Sequence, residues 1–293
     1  MRVGFVSDLH TDTSDYNVAI VDSIVEKFEA EPVDVLCLLG DVISFEEAGF
    51  EIILEKLGKV RGIKLFVPGN HEAWLTPNAI RSCREGSMND SFFRLNKLSD
   101  TCKRLDWHPL MTGPKVVDDI GFVGTIGWYD YSFRDKELLI SDDCYESKQT
   151  LTEQWMDGVY TYFNHGGREA TDREVTKVFN EDIDSHLASV EGCKIRVACT
   201  HHIPFKVLQG GMHDRASFFN AFGGNADLGK VLANRFVDIS VSGHLHRNFH
   251  KKVHDIDCYQ TSIGYLGSDY LFPSTGKLMY DNILKERVLV LDV

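Results

Sequence analysis

Five short stretches of this 293-residue chain place polar, chemically capable side chains directly after apolar runs. They are Asp8-Leu9-His10, Gly40-Asp41, Gly69-Asn70-His71-Glu72, Thr200-His201-His202-Ile203-Pro204 and Gly243-His244-Leu245-His246. Carboxylate, imidazole and amide oxygen together are a donor set for divalent metals such as Mn, Fe, Co or Zn. Taken singly, each stretch has a plain structural reading. Gly40-Asp41 suits an ordinary turn after a strand, and Asp184-Ser185-His186 repeats Asp-x-His inside a predicted helix. Gly224-Asn225, with no histidine after it, is read as a loop. Gly-His-x-His is more specific, because residues i and i+2 of an extended segment point the same way. Five stretches in order, each closing a strand, are what the structural reading leaves unexplained.

The elements that must position them read as follows. "RVGFVSD", "VDVLCLLGD" and "IKLFVPG" are apolar runs of strand length, the second nearly continuous as in a strand buried on both faces. Between them, Val18, Val21, Ile24, Val25 and Phe28, then Phe50, Ile53, Leu54 and Leu57, recur at helical spacing. That alternation predicts right-handed crossovers and a largely parallel sheet, whose carboxyl strand ends share one edge. A helix is expected over residues 88–105, a strand pair around a turn at Asp118 to Gly121, and a helix started by a Thr171/Glu174 capping box. Strands return at "KIRVACT" and "VDISVSG", with short strand-like pieces continuing to "RVLVLDV". Residues 128–170, aromatic and polar without period, are read as a segment inserted into a single domain spanning 1–293.

Composition narrows the classes. Lys plus Arg number 31 against 44 Asp plus Glu, a formal net charge of −13. That disfavours nucleic acid, which needs Lys and Arg against its phosphates, but not a small phosphorylated substrate met by metal ions. Seven scattered cysteines without a C-x-x-C pair suggest reduced thiols. No run is long enough for a membrane span, and the first apolar run is too short for a signal-peptide core. A cytoplasmic protein with no membrane partner is expected; oligomeric state leaves no mark.

The ordered set D-x-H, G-D, G-N-H-E, H and G-H-x-H resembles the calcineurin-like metallophosphoesterase superfamily, over most of the chain from Asp8 to His246. The resemblance implies an α/β fold, a four-layer α/β/β/α sandwich of two mixed sheets with a binuclear metal site at the strand ends. It implies Asp8, His10 and His246 on one metal, Asp41 bridging, and Asn70, His201 and His244 on the other. By the same resemblance His201, not His202, is the ligand of its pair, Glu72 is structural, and His71 faces substrate. The cofactors would be two divalent ions per chain, drawn from Mn, Fe, Zn or Co. Two such ions about 3.5–4 Å apart lower the pKa of a shared water. The implied reaction is attack of a metal-bridging hydroxide on a phosphate ester, with His71 as general acid.

Departures refine this. Val42-Ile43-Ser44 follows Gly40-Asp41, so neither the G-D-x-x-Y of purple acid phosphatases nor the G-D-x-x-D-R-G of serine/threonine phosphatases is present. The complete G-H-x-H resembles the phosphodiesterase branch, which favours a small-molecule phosphodiesterase over a phosphomonoesterase acting on small molecules or phosphoproteins. A non-catalytic metal-binding scaffold is disfavoured, because His71 and every ligand position are filled. Trp128, Tyr129 and Tyr131 would either stack on a ligand or pack the inserted segment. His213, Arg215 and Arg247 are possible phosphate contacts, and Glu46 and Glu47 possible partners of His71.

Overall fold

The computed structural model describes residues 1–210, 217–267 and 277–293. In chain order the elements begin β1 (Arg2–Val6), α1 (Asp15–Ala30), β2 (Val35–Leu38), α2 (Glu47–Leu57), β3 (Ile63–Phe66), α3 (Pro77–Arg84) and α4 (Ser91–Arg104). Then come β4 (His108–Pro109), β5 (Lys115–Val117), β6 (Ile120–Thr125), α5 (Asp142–Glu146), α6 (Asp157–Tyr160), β7 (Asn164–His165) and β8 (Arg168–Glu169). The chain continues through α7 (Asp172–Ser189), β9 (Ile195–Thr200), α8 (Ala226–Asn234), β10 (Ile239–Ser242), β11 (Phe249–Val253), β12 (Ile256–Gln260), α9 (Lys277–Arg287) and β13 (Leu289–Asp292).

Two mixed sheets result, ordered β13-β1-β2-β3-β4 and β11-β12-β10-β9-β6-β5. Their central strands run parallel, while β13, β5 and β11 join antiparallel. Side chains alternate across each strand, so Val3, Phe5, Val35, Cys37 and Leu65 meet Phe122, Val197, Cys199 and Val241 in a core between the sheets. The other face of the first sheet, with Val6, Leu36, Leu38 and Phe66, packs under α1, α2 and α9. Val123, Ala198 and Cys258 face α7 and α8 on the far side. Strands buried on both faces explain the near-continuous apolar runs, and the four-layer α/β/β/α sandwich is present.

Caps set the helix starts. Ser14 accepts from Asn17 N (3.2 Å) at α1, and Thr171 and Glu174 form the expected capping box at α7. Asn225 is the N-cap of α8, its side chain accepting from Leu228 N at 2.7 Å, rather than a plain loop residue. Two expectations are corrected. The hairpin between β5 and β6 turns on Asp118 and Asp119 alone, with Asp118 in the left-handed region at φ 50°. The region read as short strand-like pieces contains α9, whose buried Met279, Ile283 and Leu284 form a face interrupted by charges.

Residues 128–170 hold α5, α6 and the β7–β8 hairpin, and their aromatic side chains join a core with residues from outside the segment. Trp128 and Tyr129 are fully buried and Tyr131 is 3 % exposed, among Phe163, Phe179, Phe218 and Phe222. Of the two roles open to these aromatics, packing is the one they fill.

Candidate metal centre and active site

The carboxyl ends of β1, β2 and β3 share one edge of the first sheet and those of β9 and β10 one edge of the second, and the residues that follow these strands meet. Three groups of donor atoms gather there, each within 4.8 Å: Asp8, His10 and His246; His10, Asp41 and His71; and Asp41, His201 and His244. His10 Nε2 lies 3.0 Å from His246 Nε2 and 3.7 Å from Asp41 Oδ2. His201 Nε2 lies 3.2 Å from His244 Nδ1, 3.1 Å from Asn70 Oδ1 and 3.4 Å from Asp41 Oδ2. Asp41 therefore stands between a quartet with Asp8, His10 and His246 and one with Asn70, His201 and His244.

Metal bonds of about 2.1 Å place neighbouring ligand atoms roughly 3.0–3.4 Å apart, the edges of a coordination polyhedron. The separations here run from 3.0 to 3.7 Å, at or slightly beyond that size, and nitrogen and oxygen donors face one another, so the residues fit two divalent ions. Backbone partners fix which nitrogen is offered. His201 Nδ1 donates to Leu39 O at 2.8 Å and His244 Nε2 to Phe222 O at 3.2 Å, leaving the opposite nitrogen towards the cluster.

The chain strains to make this arrangement. Asp8, His10, Asp41, His244 and His246 all have φ between 43° and 70°, a region costly for residues other than glycine. His244 and His246 thus do not share one side of an extended segment; each serves a different quartet, and the i, i+2 expectation fails because the backbone is left-handed at both. Gly40 has φ 84°, and a Cβ there would stand 2.2 Å from Gly69 N. A Cβ on Gly243 would lie 2.0 Å from Ser7 Oγ, so the tight crossing of β1 and β10 ends excludes any side chain.

Electrostatics follow from packing charges together. Burial pushes Asp8 up against the pull of His201 and His246. Burial would also raise Asp41, but His201, His71 and His10 outweigh it and hold its carboxyl well below the usual range. Burial pushes His201 down, yet Asp41 and Asp8 lift it to about 9. His10 and His244 are driven well below the ordinary imidazole value by burial and neighbouring rings. Burial takes His202 down to about 3; it packs behind His244 and bonds Ile126 O rather than entering either quartet.

His71 presents Nε2 to the cluster, 3.8 Å from Asp41 Oδ2, and stacks on Trp74 at 3.7 Å. Its Nδ1 pairs with Ser44 Oγ at 2.9 Å. The expectation of Glu46 or Glu47 is corrected: Glu46 is exposed and Glu47 reaches Lys97, because α2 starts there and carries both away. Glu72 is structural, accepting from Gly69, Asp41, Val42 and Ile43 N, and burial lifts it to about 7 against those bonds. Arg247 is buried, its Nε donating to Gln260 at 2.9 Å and its guanidinium lying over Phe249. His213 and Arg215 lie outside the described residues.

Sequence reasoning missed Ser44, Asp157 and Tyr265. Tyr265 lies against the rings of His10 and His246, with centroids at 4.4 and 4.5 Å. Asp157 bonds Asn70 at 2.9 Å and Trp74 at 2.7 Å. Neither sits in a motif, and only the tertiary contact reveals them.

The calcineurin-like phosphoesterase family model matches residues 1–248, and the chain belongs to that family of metal-dependent hydrolases acting on phosphate esters. Among solved structures it is similar to a phosphopantetheinyl hydrolase from Mycobacterium tuberculosis, at 19 % identity and TM-score 0.70, covering 90 % of this chain and 89 % of that one. It is similar also to a dimetal phosphatase from Danio rerio, at 13 % identity and TM-score 0.51, covering 91 % and 88 %. No curated protein matches it. Among the described residues no helix is long and apolar enough to cross a membrane.

Proposed function

We propose that the chain, as one catalytic domain over 1–293, hydrolyses a phosphodiester of a small molecule at a two-metal centre. Asp8, His10, Asp41 and His246 would hold one ion, and Asp41, Asn70, His201 and His244 the other. The carrying observation is Asp41 Oδ2, within 3.7 Å of His10 Nε2 and 3.4 Å of His201 Nε2, a position suited to bridging. Mn, Fe, Zn or Co all suit this mixed nitrogen and oxygen set. Bound there, such ions supply Lewis acidity and a water acidic enough to attack phosphorus at neutral pH.

The chain's own residues supply the rest. When Ser44 Oγ accepts from His71 Nδ1–H, the protonated ring carries its second proton on Nε2, which faces the cluster, and giving that proton up leaves the neutral Nδ1–H tautomer. His71 is then a general acid for the leaving oxygen, and Trp74 holds its plane. The diester reading rests on the complete Gly243-His244-Leu245-His246 and the absence of the motifs that mark the two phosphomonoesterase groups.

The test is turnover of bis(p-nitrophenyl) phosphate beside p-nitrophenyl phosphate, with Mn²⁺ and with chelator. Faster metal-dependent cleavage of the diester supports the proposal; faster monoester cleavage moves the assignment to a phosphomonoesterase. The fold shared with a phosphopantetheinyl hydrolase makes phosphopantetheinyl esters the natural second substrates to try.

A further inference from the structure

The inserted segment contributes one group to the site. Asp157 opens α6, is wholly buried, and receives four donors. Asn70 Nδ2 (2.9 Å) and Trp74 Nε1 (2.7 Å) donate to its Oδ1. Tyr129 OH (3.0 Å) and Trp155 Nε1 (2.7 Å) donate to its Oδ2. Two of these donors are indole N–H groups, which only donate, one to each carboxyl oxygen of Asp157, so both oxygens accept. Its two oxygens therefore dictate the orientation of whatever faces them.

For Asn70 this decides which end of the amide faces the metal site. The NH2 must turn to Asp157, because a flipped amide would set carbonyl oxygen against carboxylate. Oδ1 is thereby left beside His201 Nε2, at 3.1 Å, as an oxygen donor. For Trp74 the same oxygen anchors the indole N–H, and that indole stacks on His71 at 3.7 Å. Tyr129 and Trp155 hold the carboxylate from behind, and both belong to the segment read from sequence as an excursion.

We propose that Asp157 is a positioning residue of the phosphoesterase site, fixing Asn70 as an oxygen ligand and, through Trp74, the ring plane of His71. It touches neither metal nor substrate. The inference rests on the two-metal reading above. It also gives residues 128–170 a purpose: this segment brings to the two halves of the chemistry one carboxylate that ties them together.

The experiment is Mn²⁺ titration by calorimetry of wild type, Asp157→Asn, Asn70→Asp and the double exchange Asn70→Asp/Asp157→Asn, with urea unfolding of each metal-free protein. Loss of a partner orienting a metal ligand costs about 10–100-fold in metal affinity. Each single variant is expected to lose that much for one ion and keep the other. The double exchange restores an amide–carboxylate bond with donor and acceptor reversed, though it takes from Trp74 Nε1 the oxygen it donates to. A recovery of the weakened ion by at least about threefold over either single variant is therefore expected, a result that general damage to folding would not give. Trp74→Phe keeps a ring on His71 but removes the N–H; it is expected to lower kcat on bis(p-nitrophenyl) phosphate with both ions and KM retained.

Wild type that binds two ions, with Asp157→Asn binding both equally well, would overturn the inference alone. So would singles that weaken both ions alike with no recovery in the double exchange. Wild type that binds fewer than two ions would overturn the two-metal reading and this inference with it.

Discussion

At the scale of single residues, the candidate ligand positions stand out because their chemistry is rare where they occur: Asp, Asn and His after buried strands have no packing reason to gather there. Their supports are not legible. Ser44 reaches His71 across 27 positions and Asp157 reaches Asn70 across 87, and nothing local marks either serine or aspartate. Replacing His71 by alanine is expected to lower kcat by about 10²–10⁴ with two ions still bound, read by turnover beside metal analysis. Ser44→Ala is expected to cost less, since it leaves the ring in place and loosens only its tautomer. The pKa of His201, lifted to about 9, has a consequence for metal uptake. Below that value the metal-free ring is protonated, and it must lose its proton to ligate. Metal affinity is therefore expected to rise between pH 7 and 9 and level off above, with proton release measurable by calorimetry in buffers of different ionisation enthalpy. Affinity flat across that range would contradict the protonated apo state.

At the scale of elements, the β-α-β alternation is legible because strands buried on both faces leave nearly unbroken apolar runs. α9 is not, since only Met279, Ile283 and Leu284 are buried on it and charges fill the gaps. The left-handed backbone at His244 and His246 also escapes a reading that assumes extended chain. Glu72 joins the loops after β2 and β3 by accepting four backbone N–H groups. Glu72→Ala would leave those donors buried without partners, at a cost of at least about 3 kcal/mol in urea unfolding, and is expected to reduce metal binding because Asp41 loses its frame. Trp128, buried with its Nε1 donating to Asp172 at 2.8 Å, belongs to the aromatic core that residues 128–170 share with Phe179, Phe218 and Phe222. Its replacement by alanine should cost about 3–5 kcal/mol. If instead it left stability unchanged and altered only KM, the ring would be contacting substrate.

At the scale of the whole molecule, a protein of net charge −13 gathers more acidic groups and imidazoles at one edge than they can satisfy among themselves. Cations bound there would link metal to folding. An ion at a hundred times its Kd adds about 2.7 kcal/mol to stability, so chelation is expected to lower the unfolding temperature and Mn²⁺ to restore it. The most direct measurement is metal content per chain set against diester turnover, in wild type and in Asp41→Asn. Two ions in wild type, metal-dependent cleavage of bis(p-nitrophenyl) phosphate, and loss of both metal binding and cleavage on changing Asp41, the proposed bridge, are the expected results. Full turnover in chelator, or two ions and unchanged turnover in Asp41→Asn, would contradict the proposal.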